Sequence, residues 1–252
     1  MTIRTERDGH ILTITIDRPE AMNALAPEMM FQLEGAFTEL RDDPALRVAI
    51  VTGAGDRAFC AGADLGRMAD RSTRADTRRL QLFSGLDVMK PVVGAINGHC
   101  LAGGLGLALL CDVRIASENA TFGCMGTARG ILPGAGQTVR LPQVVGLGNA
   151  MWLLLSAERI PAEEALRIGL VNRVGPRGEA LVAAREWANI LASRAPLAVK
   201  ATKESALRGQ TLALADALRL EGELAAPLMG SEDAQEGIRA FNEKRAPEWK
   251  GR

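Results

Sequence analysis

Two glycine-rich segments of the chain have the composition needed to bring backbone N–H groups against a ligand. The first is Phe59–Leu65, with the sequence F-C-A-G-A-D-L, and the second is Asn97–Gly106, with the sequence N-G-H-C-L-A-G-G-L-G. Small residues let a backbone approach a bound molecule closely, and the second segment leads into an apolar, helix-like stretch whose first N–H groups have no intrahelical partner. Two such turns side by side would direct two N–H donors at one carbonyl oxygen. In such an oxyanion hole, losing one donor typically costs about 2.7–4 kcal/mol of barrier.

The same glycines are compatible with a structural role, and several other kinds of site lack their motifs. Glycine-rich loops also occur wherever tight turns or close packing require them, so spacing alone favours a structural role. The chain has no G-x-x-x-x-G-K-[ST] motif, and Gly104-Leu105-Gly106 lacks the third glycine of a dinucleotide fingerprint. The sequence shows no typical spacing of metal ligands, since the two histidines are far apart and no C-x-x-C pair occurs. No G-x-S-x-G motif indicates a serine hydrolase.

Short apolar runs position both segments. Val48–Val51 precedes the first, Val92–Ile96 precedes the second, and Val113–Ala116 follows a helix predicted at Gly103–Leu110. Strand, helix and strand in this order are the signature of a parallel sheet. We therefore predict that both glycine-rich segments follow buried parallel strands.

The N-terminal residues predict a hairpin and a helix. Ile11–Ile16 alternates apolar and polar residues, which is typical of a half-buried strand, and the Asp8-Gly9 turn would pair it with Ile3–Arg7. Pro27 is suited to the first position of a helix. The apolar face of that helix would consist of Met30, Leu33, Phe37 and Leu40.

From about residue 149 onward the pattern is helical. We predict helices at Ala150–Ser156, Pro161–Ile168, Gly178–Ser193, Ala198–Leu207, Leu212–Leu228 and Asp233–Glu243. The chain as a whole is therefore predicted to have an N-terminal α/β core, residues 1–195, and a C-terminal helical subdomain, residues 196–252. Helical regions of this kind often form contacts between subunits.

Composition narrows the possible partners. Lys plus Arg and Asp plus Glu both number 30, so the formal net charge is zero. Because nucleic acids and anionic membranes bind concentrated positive charge, we expect neither as a partner. The charged N-terminus lacks the apolar run of a secretory signal, and no apolar stretch approaches the roughly 20 residues of a transmembrane helix. We expect a cytoplasmic protein with four reduced core thiols, at Cys60, Cys100, Cys111 and Cys124.

Several blocks of sequence occur together in the order and spacing of one enzyme family. They are Arg18–Leu25 (R-P-E-A-M-N-A-L), Ala58–Leu65, Lys90–Gly98 with Ala102–Gly104 and Cys111-Asp112, Leu132–Pro142, Ala162–Val171 and Phe241–Arg245. From about Ile11 to Lys250 the chain resembles the crotonase family, the enoyl-CoA hydratases and isomerases. Each block alone is a weak signal, but all of them in this order are specific.

The resemblance implies a fold, a substrate class and an assembly. The fold is an α/β crotonase-like spiral of stacked ββα turns with a C-terminal helical trimerisation region. The substrate is an acyl-CoA thioester, so coenzyme A is part of the substrate, and no cofactor or metal is bound permanently. The subunits associate as a trimer or a dimer of trimers.

The resemblance also assigns roles to individual residues. The backbone amides of Ala63 and Gly103 form the oxyanion hole. The substrate is expected to lie along Met22, Ala24, Ala61, Gly62, Asp64, Leu65 and Gly104. Phe241 and Lys244 would approach its nucleotide end from the C-terminal region, within the chain or from a neighbouring subunit.

The chain departs from the family pattern where the catalytic acids are expected. A hydratase uses two carboxylates, one to activate water and one to exchange a proton at the α-carbon, and each positioned acid or base contributes about 10²–10⁴-fold. The first belongs at Gly106 and the second at Gly126. Some isomerases instead place an acid at the position of Gly134. All three positions are glycine.

Other polar residues near the two segments are candidates for the missing base. His99 has a suitable pKa but is typical of a hydrogen-bonded structural residue. Cys124 and Thr127 lie where the second acid is expected, and Cys124, with only Arg129 nearby to favour a thiolate, is expected to pack. Asp64 is expected to brace its loop. The arginine-rich segment 67–79 is predicted to be a solvated helix, in which Arg67 or Arg71 could bind an acidic acyl group.

The sequence thus predicts an acyl-CoA enzyme of the enoyl-CoA hydratase/isomerase type that stabilises a thioester enolate. Two alternatives remain. One is a CoA-thioester hydrolase or decarboxylase with an unassigned base. The other is a non-catalytic acyl-CoA-binding protein that keeps the oxyanion hole and lacks the acids.

Overall fold

The computed structural model describes residues 2–68, 82–83 and 86–252, and it contains two β-sheets. The larger sheet has the order β1-β2-β3-β5-β7-β10 and is parallel apart from the β1–β2 hairpin. Its strands are β1 (Thr2–Asp8), β2 (Ile11–Asp17), β3 (Val48–Gly53), β5 (Val92–Ile96), β7 (Val113–Ser117) and β10 (Arg173–Gly175). The smaller sheet has the order β4-β6-β8-β9, and its strands are β4 (Ala58–Cys60), β6 (His99–Leu101), β8 (Thr121–Gly123) and β9 (Ile160–Pro161).

The chain alternates between the two sheets. A strand of the larger sheet leads to a short strand of the smaller sheet and then to a helix, as in β3, β4 and α2 (Leu65–Met68) and again in β5, β6 and α3 (Gly103–Ala108). The pair β7 and β8 starts a third such turn, which continues through a 3₁₀ turn at Thr127–Arg129 into α4 (Gln137–Ser156). These stacked ββα turns confirm the predicted spiral.

The remaining helices pack around this framework. α1 (Pro27–Asp42) starts at Pro27 as predicted and buries its predicted apolar face. The helices after α4 are α5 (Ala162–Arg167), α6 (Ala180–Ala192), α7 (Pro196–Gly209), α8 (Leu214–Met229) and α9 (Glu232–Glu243). They match the predicted helices to within about two residues. The predicted division at residue 195 precedes α7 directly, and it stays a prediction.

The strand β2 differs from its prediction as half-buried. Its first six residues are all buried, because both faces of the larger sheet are covered. Leu12 and Ile14 belong to a core that includes α1, whereas Ile11 packs with Val48 and with the alanines of α6. Successive side chains of β2 therefore face two different hydrophobic cores, one on each side of the sheet. Thr13 and Thr15 are buried as well.

Two further predictions were wrong in their boundaries. The prediction at Ala150–Ser156 covered only the last seven residues of α4, which starts at Gln137. This helix contains Pro142 and a break at Gly146, residues that disfavour a continuous helix. The starts of the glycine-rich segments form β4 and β6, strands of three residues each, too short to give an alternating pattern.

Most of the arginine-rich segment 67–79 lies outside the described residues, including Arg71. Cys60, Cys100, Cys111 and Cys124 are free thiols and buried, in agreement with the prediction of core cysteines. Among the helices of the described ranges, none combines the length and the apolar character needed to cross a bilayer.

Candidate active site

The two glycine-rich turns lie side by side because they follow neighbouring parallel strands. β4 pairs with β6, with Cys60 opposite Cys100, so both strands end at the same edge of the smaller sheet. Ala63 and Gly103 each lie three residues beyond these cysteines. A Cβ built on Gly103 would be 3.5 Å from the nitrogen of Ala63, and one built on Gly62 would be 3.0 Å from the nitrogen of Gly103. The geometry therefore agrees with the prediction that the two turns meet.

The amide of Ala63 points away from the segment that supports it. Leu25 forms a parallel bridge to Ala63, in which the Leu25 N–H donates to the carbonyl of Gly62 (2.8 Å) and the Asp64 N–H donates to the carbonyl of Leu25 (2.9 Å). In a parallel ladder the bridged residue itself directs its own N–H to the other side. That side faces Gly103.

The amide of Gly103 also has no partner in the part of the chain that the structure describes. Gly103 is the first residue of α3, a position whose N–H has no intrahelical acceptor. Among the described residues, neither its N–H nor that of Ala63 donates a hydrogen bond to the protein. We call these two N–H groups the amide pair. Adjacent, unpaired and partly exposed, they are suited to share one acceptor oxygen.

Unusual backbone conformations hold the amide pair in place. Gly62 has a φ of 100°, and a Cβ there would lie 2.9 Å from the Cβ of Ala102, so the position requires glycine. Ala102 has a φ of 50° and a ψ of −122°, a conformation that is strained for any residue with a side chain. Strain of this kind is retained only where the surroundings enforce it, and here it sets the direction of the Gly103 amide.

The segment Met22–Leu25 is joined to the first turn by main-chain hydrogen bonds. Met22 and Asn23 have positive φ angles of 54° and 55°, which turn the chain so that the Met22 carbonyl accepts the Ala61 N–H (3.0 Å). Asn23 is buried, and its side-chain amide donates to the carbonyls of Ala54 and Ala58. Met22, Ala24 and Ala61 are each partly exposed. The structure therefore brings these predicted substrate contacts together beside the amide pair.

Three further residues predicted to contact substrate, Asp64, Leu65 and Gly104, differ in their exposure and in their partners. Asp64 accepts a hydrogen bond from Arg18 Nη1 (2.7 Å) on one oxygen and from the Arg67 N–H (3.2 Å) on the other. The hydrogen bonds from Arg18 and Arg67 lower the pKa of Asp64, so it is an ionised brace. Leu65 is half exposed. Gly104 is buried, and its Cα faces the Cys60 carbonyl too closely for any side chain, so it packs α3 against β4.

Two of the three expected acid positions have no room for a side chain. The loop 131–136, which we call the covering loop, lies directly over them. A Cβ on Gly106 would be 2.6 Å from the carbonyl oxygen of Ala135, and a Cβ on Gly126 would be 2.7 Å from the nitrogen of Pro133. Gly134 lies on the covering loop itself and is exposed. A Cβ built on it would have the Leu132 carbonyl oxygen, at 4.0 Å, as its nearest neighbour.

The candidate polar residues have structural partners. His99 Nδ1 is 2.7 Å from Thr121 Oγ1, and burial together with Arg159 and Arg57 lowers its pKa, which favours neutral imidazole. It starts β6, roughly 10 Å of extended chain before Ala102. Cys124 is fully buried, and burial raises its pKa to about 12, so it is a thiol. The Thr127 hydroxyl donates to the Leu154 carbonyl near the end of α4.

Phe241 lies on α9, and Lys244 directly follows its last residue. Phe241 is 84% exposed, and Lys244 ends α9 with a left-handed φ of 54°. Within the described residues, no hydrogen bond or ion pair connects either residue to the amide pair. A cavity of about 400 Å³ lies at the other end of α3, beside Leu109 and Arg140, and none of the predicted site residues lines it. The described part of the chain also contains no group of three His, Cys, Asp or Glu side chains arranged for a metal.

Sequence reasoning missed two residues that organise this site. Leu25 supplies the bridge that orients Ala63, and Arg18 supplies the partner of Asp64. Both belong to the block Arg18–Leu25 that carried the family resemblance. No local pattern indicated their partners, because the pairing depends on how β2 and β4 are placed in different sheets.

Comparison with known proteins identifies the family. Residues 6–252 match the model of the family described as enoyl-CoA hydratase/isomerase. The chain is 40% identical to a short-chain-enoyl-CoA hydratase of Clostridium acetobutylicum over 246 residues, covering 95% of this chain and 94% of that one. It is 39% identical to an (E)-benzylidenesuccinyl-CoA hydratase of Thauera aromatica, covering 100% of both chains.

A solved structure extends the likeness to the fold. The enoyl-CoA hydratase of Bacillus anthracis superposes with a TM-score of 0.94 at 36% identity, covering 99% of each chain. The stacked ββα turns, the paired glycine-rich turns and these relatives agree, and the chain belongs to the enoyl-CoA hydratase/isomerase family.

Proposed function

We propose that the protein binds an acyl-CoA thioester with its carbonyl oxygen between the N–H groups of Ala63 and Gly103, and that it stabilises the enolate of that thioester. The observation that carries this proposal is the amide pair: two adjacent donors without acceptors in the described residues, directed to the same side. Donors fixed before the reaction stabilise the charge that develops on the oxygen without having to reorganise.

The substrate class is supported by the family and by the activities for which the relatives are named. Those relatives are hydratases that act on CoA thioesters. Two hydrogen bonds to the thioester oxygen withdraw electron density from the carbonyl. They therefore make the α-proton more acidic and the β-carbon of an enoyl thioester more electrophilic. Coenzyme A would lie along Met22, Ala24 and Ala61–Leu65, beside the amide pair.

A specific observation favours chemistry without the usual acids. The covering loop fills the space that side chains at positions 106 and 126 would occupy. The proposal therefore includes slow hydration at most, since each missing acid or base is worth about 10²–10⁴-fold. The covering loop also favours a second candidate function, in which the protein binds acyl-CoA thioesters and does not add water to them.

Two ligands that differ by one oxygen test the binding step. Hexanoyl-CoA has the thioester carbonyl, whereas S-hexyl-CoA is a thioether of similar length that lacks it. Calorimetric titration should give a preference for hexanoyl-CoA of about tenfold or more, the value of one good hydrogen bond. Equal affinities for the two ligands would refute the oxyanion proposal.

Turnover assays then separate the candidate functions. Loss of the enoyl-thioester absorbance of crotonyl-CoA measures hydration, release of the CoA thiol measures hydrolysis, and release of carbon dioxide from a malonyl-type thioester measures decarboxylation. Thioester-selective binding without any of these reactions would favour the binding protein. Release of the CoA thiol or of carbon dioxide at an enzymatic rate would identify the alternative reaction.

We also propose that the C-terminal helices mediate self-association. In the single chain α8 has no buried residue, and it exposes Leu214, Leu218 and Met229. Ile238 and Phe241 on α9 are exposed as well. Covering these side chains with another subunit would remove them from water and bring Phe241 and Lys244 to a neighbouring site. Native mass spectrometry should give a trimer or hexamer, and a monomer at micromolar concentration would contradict this proposal.

A further inference from the structure

Arg18 connects the end of the larger sheet to the turn that carries Ala63. It follows β2 directly, and its main chain is fixed by hydrogen bonds from its own N–H to Asn23 Oδ1 (3.0 Å) and from the Asn23 N–H to its carbonyl (2.9 Å). The side chain is only 14% exposed. Arg18 thus starts from a rigid position and extends towards the smaller sheet.

The guanidinium of Arg18 holds two segments at once. Nη1 donates to Asp64 Oδ2 at 2.7 Å and to the Ala24 carbonyl at 3.3 Å. The ion pair is shielded from water, with 14% and 20% of the two side chains exposed. Partial burial strengthens such a pair relative to an exposed one.

Asp64 transmits this contact to the turn. Its second oxygen accepts the Arg67 N–H at the start of α2, so both carboxylate oxygens are engaged. Its main-chain N–H donates to the Leu25 carbonyl. The two residues that bracket the Leu25 bridge, Ala24 and Asp64, are therefore both held by one guanidinium, and Ala63 lies directly across that bridge.

From this geometry we infer that Arg18 is a positioning residue for the oxyanion hole, acting through Asp64 on the direction of the Ala63 N–H. This inference rests on the proposed function, since it concerns the hydrogen bond from Ala63 to the thioester oxygen. Arg18 itself does not touch the reacting atoms. Without its guanidinium the Asp64 carboxylate loses its charged partner, and the turn between β4 and α2 becomes free to rotate the peptide of Ala63.

A purely structural role for Arg18 makes a different prediction. If the ion pair only stabilised the fold or the surface that binds coenzyme A, its loss would weaken every CoA ligand equally. If it positions the Ala63 amide, its loss would weaken only ligands with a thioester oxygen. The affinity ratio of hexanoyl-CoA to S-hexyl-CoA therefore distinguishes the two roles.

The experiment measures this ratio in the unaltered chain and in a set of variants. Arg18→Met removes the charge, Asp64→Asn removes its partner while retaining an oxygen for the Arg67 N–H, and Arg7→Met is the matched control. Arg7 forms an ion pair with Glu39 and Asp43 on the surface, away from the turns. We expect Arg18→Met and Asp64→Asn each to lower the affinity ratio about tenfold, because a tenfold change corresponds to the loss of one good hydrogen bond. The double variant should lower it no further, since the two residues act as one unit.

The outcomes are distinct. A ratio unchanged in Arg18→Met or Asp64→Asn, or equal losses for both ligands, would overturn the positioning role while leaving the oxyanion proposal standing. A wild-type ratio of one would overturn both. Arg18→Lys, which retains the positive charge, should recover part of the ratio, and it provides the test if Arg18→Met does not fold.

Discussion

The amide pair and the acid positions lie on successive turns of the spiral, yet they are opposite in construction. Ala63 and Gly103 are partly exposed, and their backbone donors have no acceptor among the described residues. The strained conformation of Ala102 and the positive φ of Gly62 hold them there. At Gly106, one helical turn beyond Gly103, and at Gly126, the surface is buried under the covering loop. Side chains at positions 106 and 126 would collide with the covering loop, whereas the turns of Ala63 and Gly103 leave two backbone N–H groups without an acceptor among the described residues.

This difference indicates which chemistry depends on which part of the sequence. Backbone donors need a turn geometry, which glycine and alanine can supply. Proton transfer needs a side-chain acid or base and the volume to hold it, and a glycine beneath a packed loop supplies neither. We therefore propose that the site polarises a thioester and hydrates one slowly at most.

The largest effect on ligand binding is expected from Gly62→Ala, which disturbs the backbone part of the site. The new Cβ would meet Ala102 and the Gly103 nitrogen at a φ of 100°. We expect a loss of about 2–4 kcal/mol of unfolding free energy from strain and overpacking, together with loss of the hexanoyl-CoA preference. Urea unfolding and calorimetric titration measure both.

The control for Gly62→Ala is Gly178→Ala. Gly178 has a similar φ of 85° but no atom within 4 Å. Gly178→Ala should lower the unfolding free energy only by the backbone strain, about 1–2 kcal/mol. It should leave the preference for hexanoyl-CoA unchanged. Retention of the preference in Gly62→Ala would show that the amide pair tolerates displacement and would break the comparison.

Glutamates placed at the expected acid positions test whether the covering loop excludes side chains there. We expect Gly106→Glu with Gly126→Glu to destabilise the fold by about 1–3 kcal/mol per site, because each side chain must displace the covering loop. Gly134→Glu should be close to neutral in stability, since that position is open. Urea unfolding and the crotonyl-CoA assay give the readouts. A stable double variant that hydrates crotonyl-CoA rapidly would contradict the view that the acid positions are closed.

The pH dependence sharpens the same contrast. The amide pair does not titrate, and Arg18 and the Arg67 N–H lower the pKa of Asp64. Stabilisation by a depressed carboxylate is complete above its unfolded pKa of about 3.9 and is lost as the pH falls through its lower folded value. The hexanoyl-CoA preference should therefore be constant between about pH 5 and pH 8. A preference that changes with a midpoint in this range would reveal a titrating side chain at the thioester.

The smallest effect is expected at His99. Burial and two arginines lower its pKa, so the folded protein favours the neutral ring. Stability from this source is present above the unfolded pKa of about 6.5 and declines as the pH falls towards the lower folded value. His99→Asn should remove that decline without changing acyl-CoA binding, as measured by thermal unfolding across this range. An altered ligand preference in His99→Asn would place the ring closer to the site than its strand position implies.

Much of the fold could be predicted from the sequence because its signals are local. Apolar runs marked β3, β5 and β7, and Pro27 marked the start of α1. The strands β4 and β6 could not be predicted, since three residues cannot show a period and their pairing is set by the neighbouring sheet. The first half of α4 was missed because Pro142 and Gly146 disfavour a continuous helix.

The candidate site was predictable to a similar degree. The turns of Ala63 and Gly103 could be located from their glycines and the family resemblance. The covering loop could not, because nothing in the residues 131–136 indicates that they pack on Gly106 and Gly126. The brace of Asp64 was expected, but its partner Arg18 is 46 residues away in sequence and could be identified only from the structure.

Infrared spectroscopy of bound hexanoyl-CoA labelled with carbon-13 at the thioester carbonyl tests the amide pair most directly. Two N–H donors on one oxygen should move the carbonyl stretch to a lower frequency than that of the same thioester in water, and Gly62→Ala should reverse the shift. A bound carbonyl that absorbs at or above its frequency in water, in a protein that binds the ligand fully, would contradict the oxyanion hole at Ala63 and Gly103.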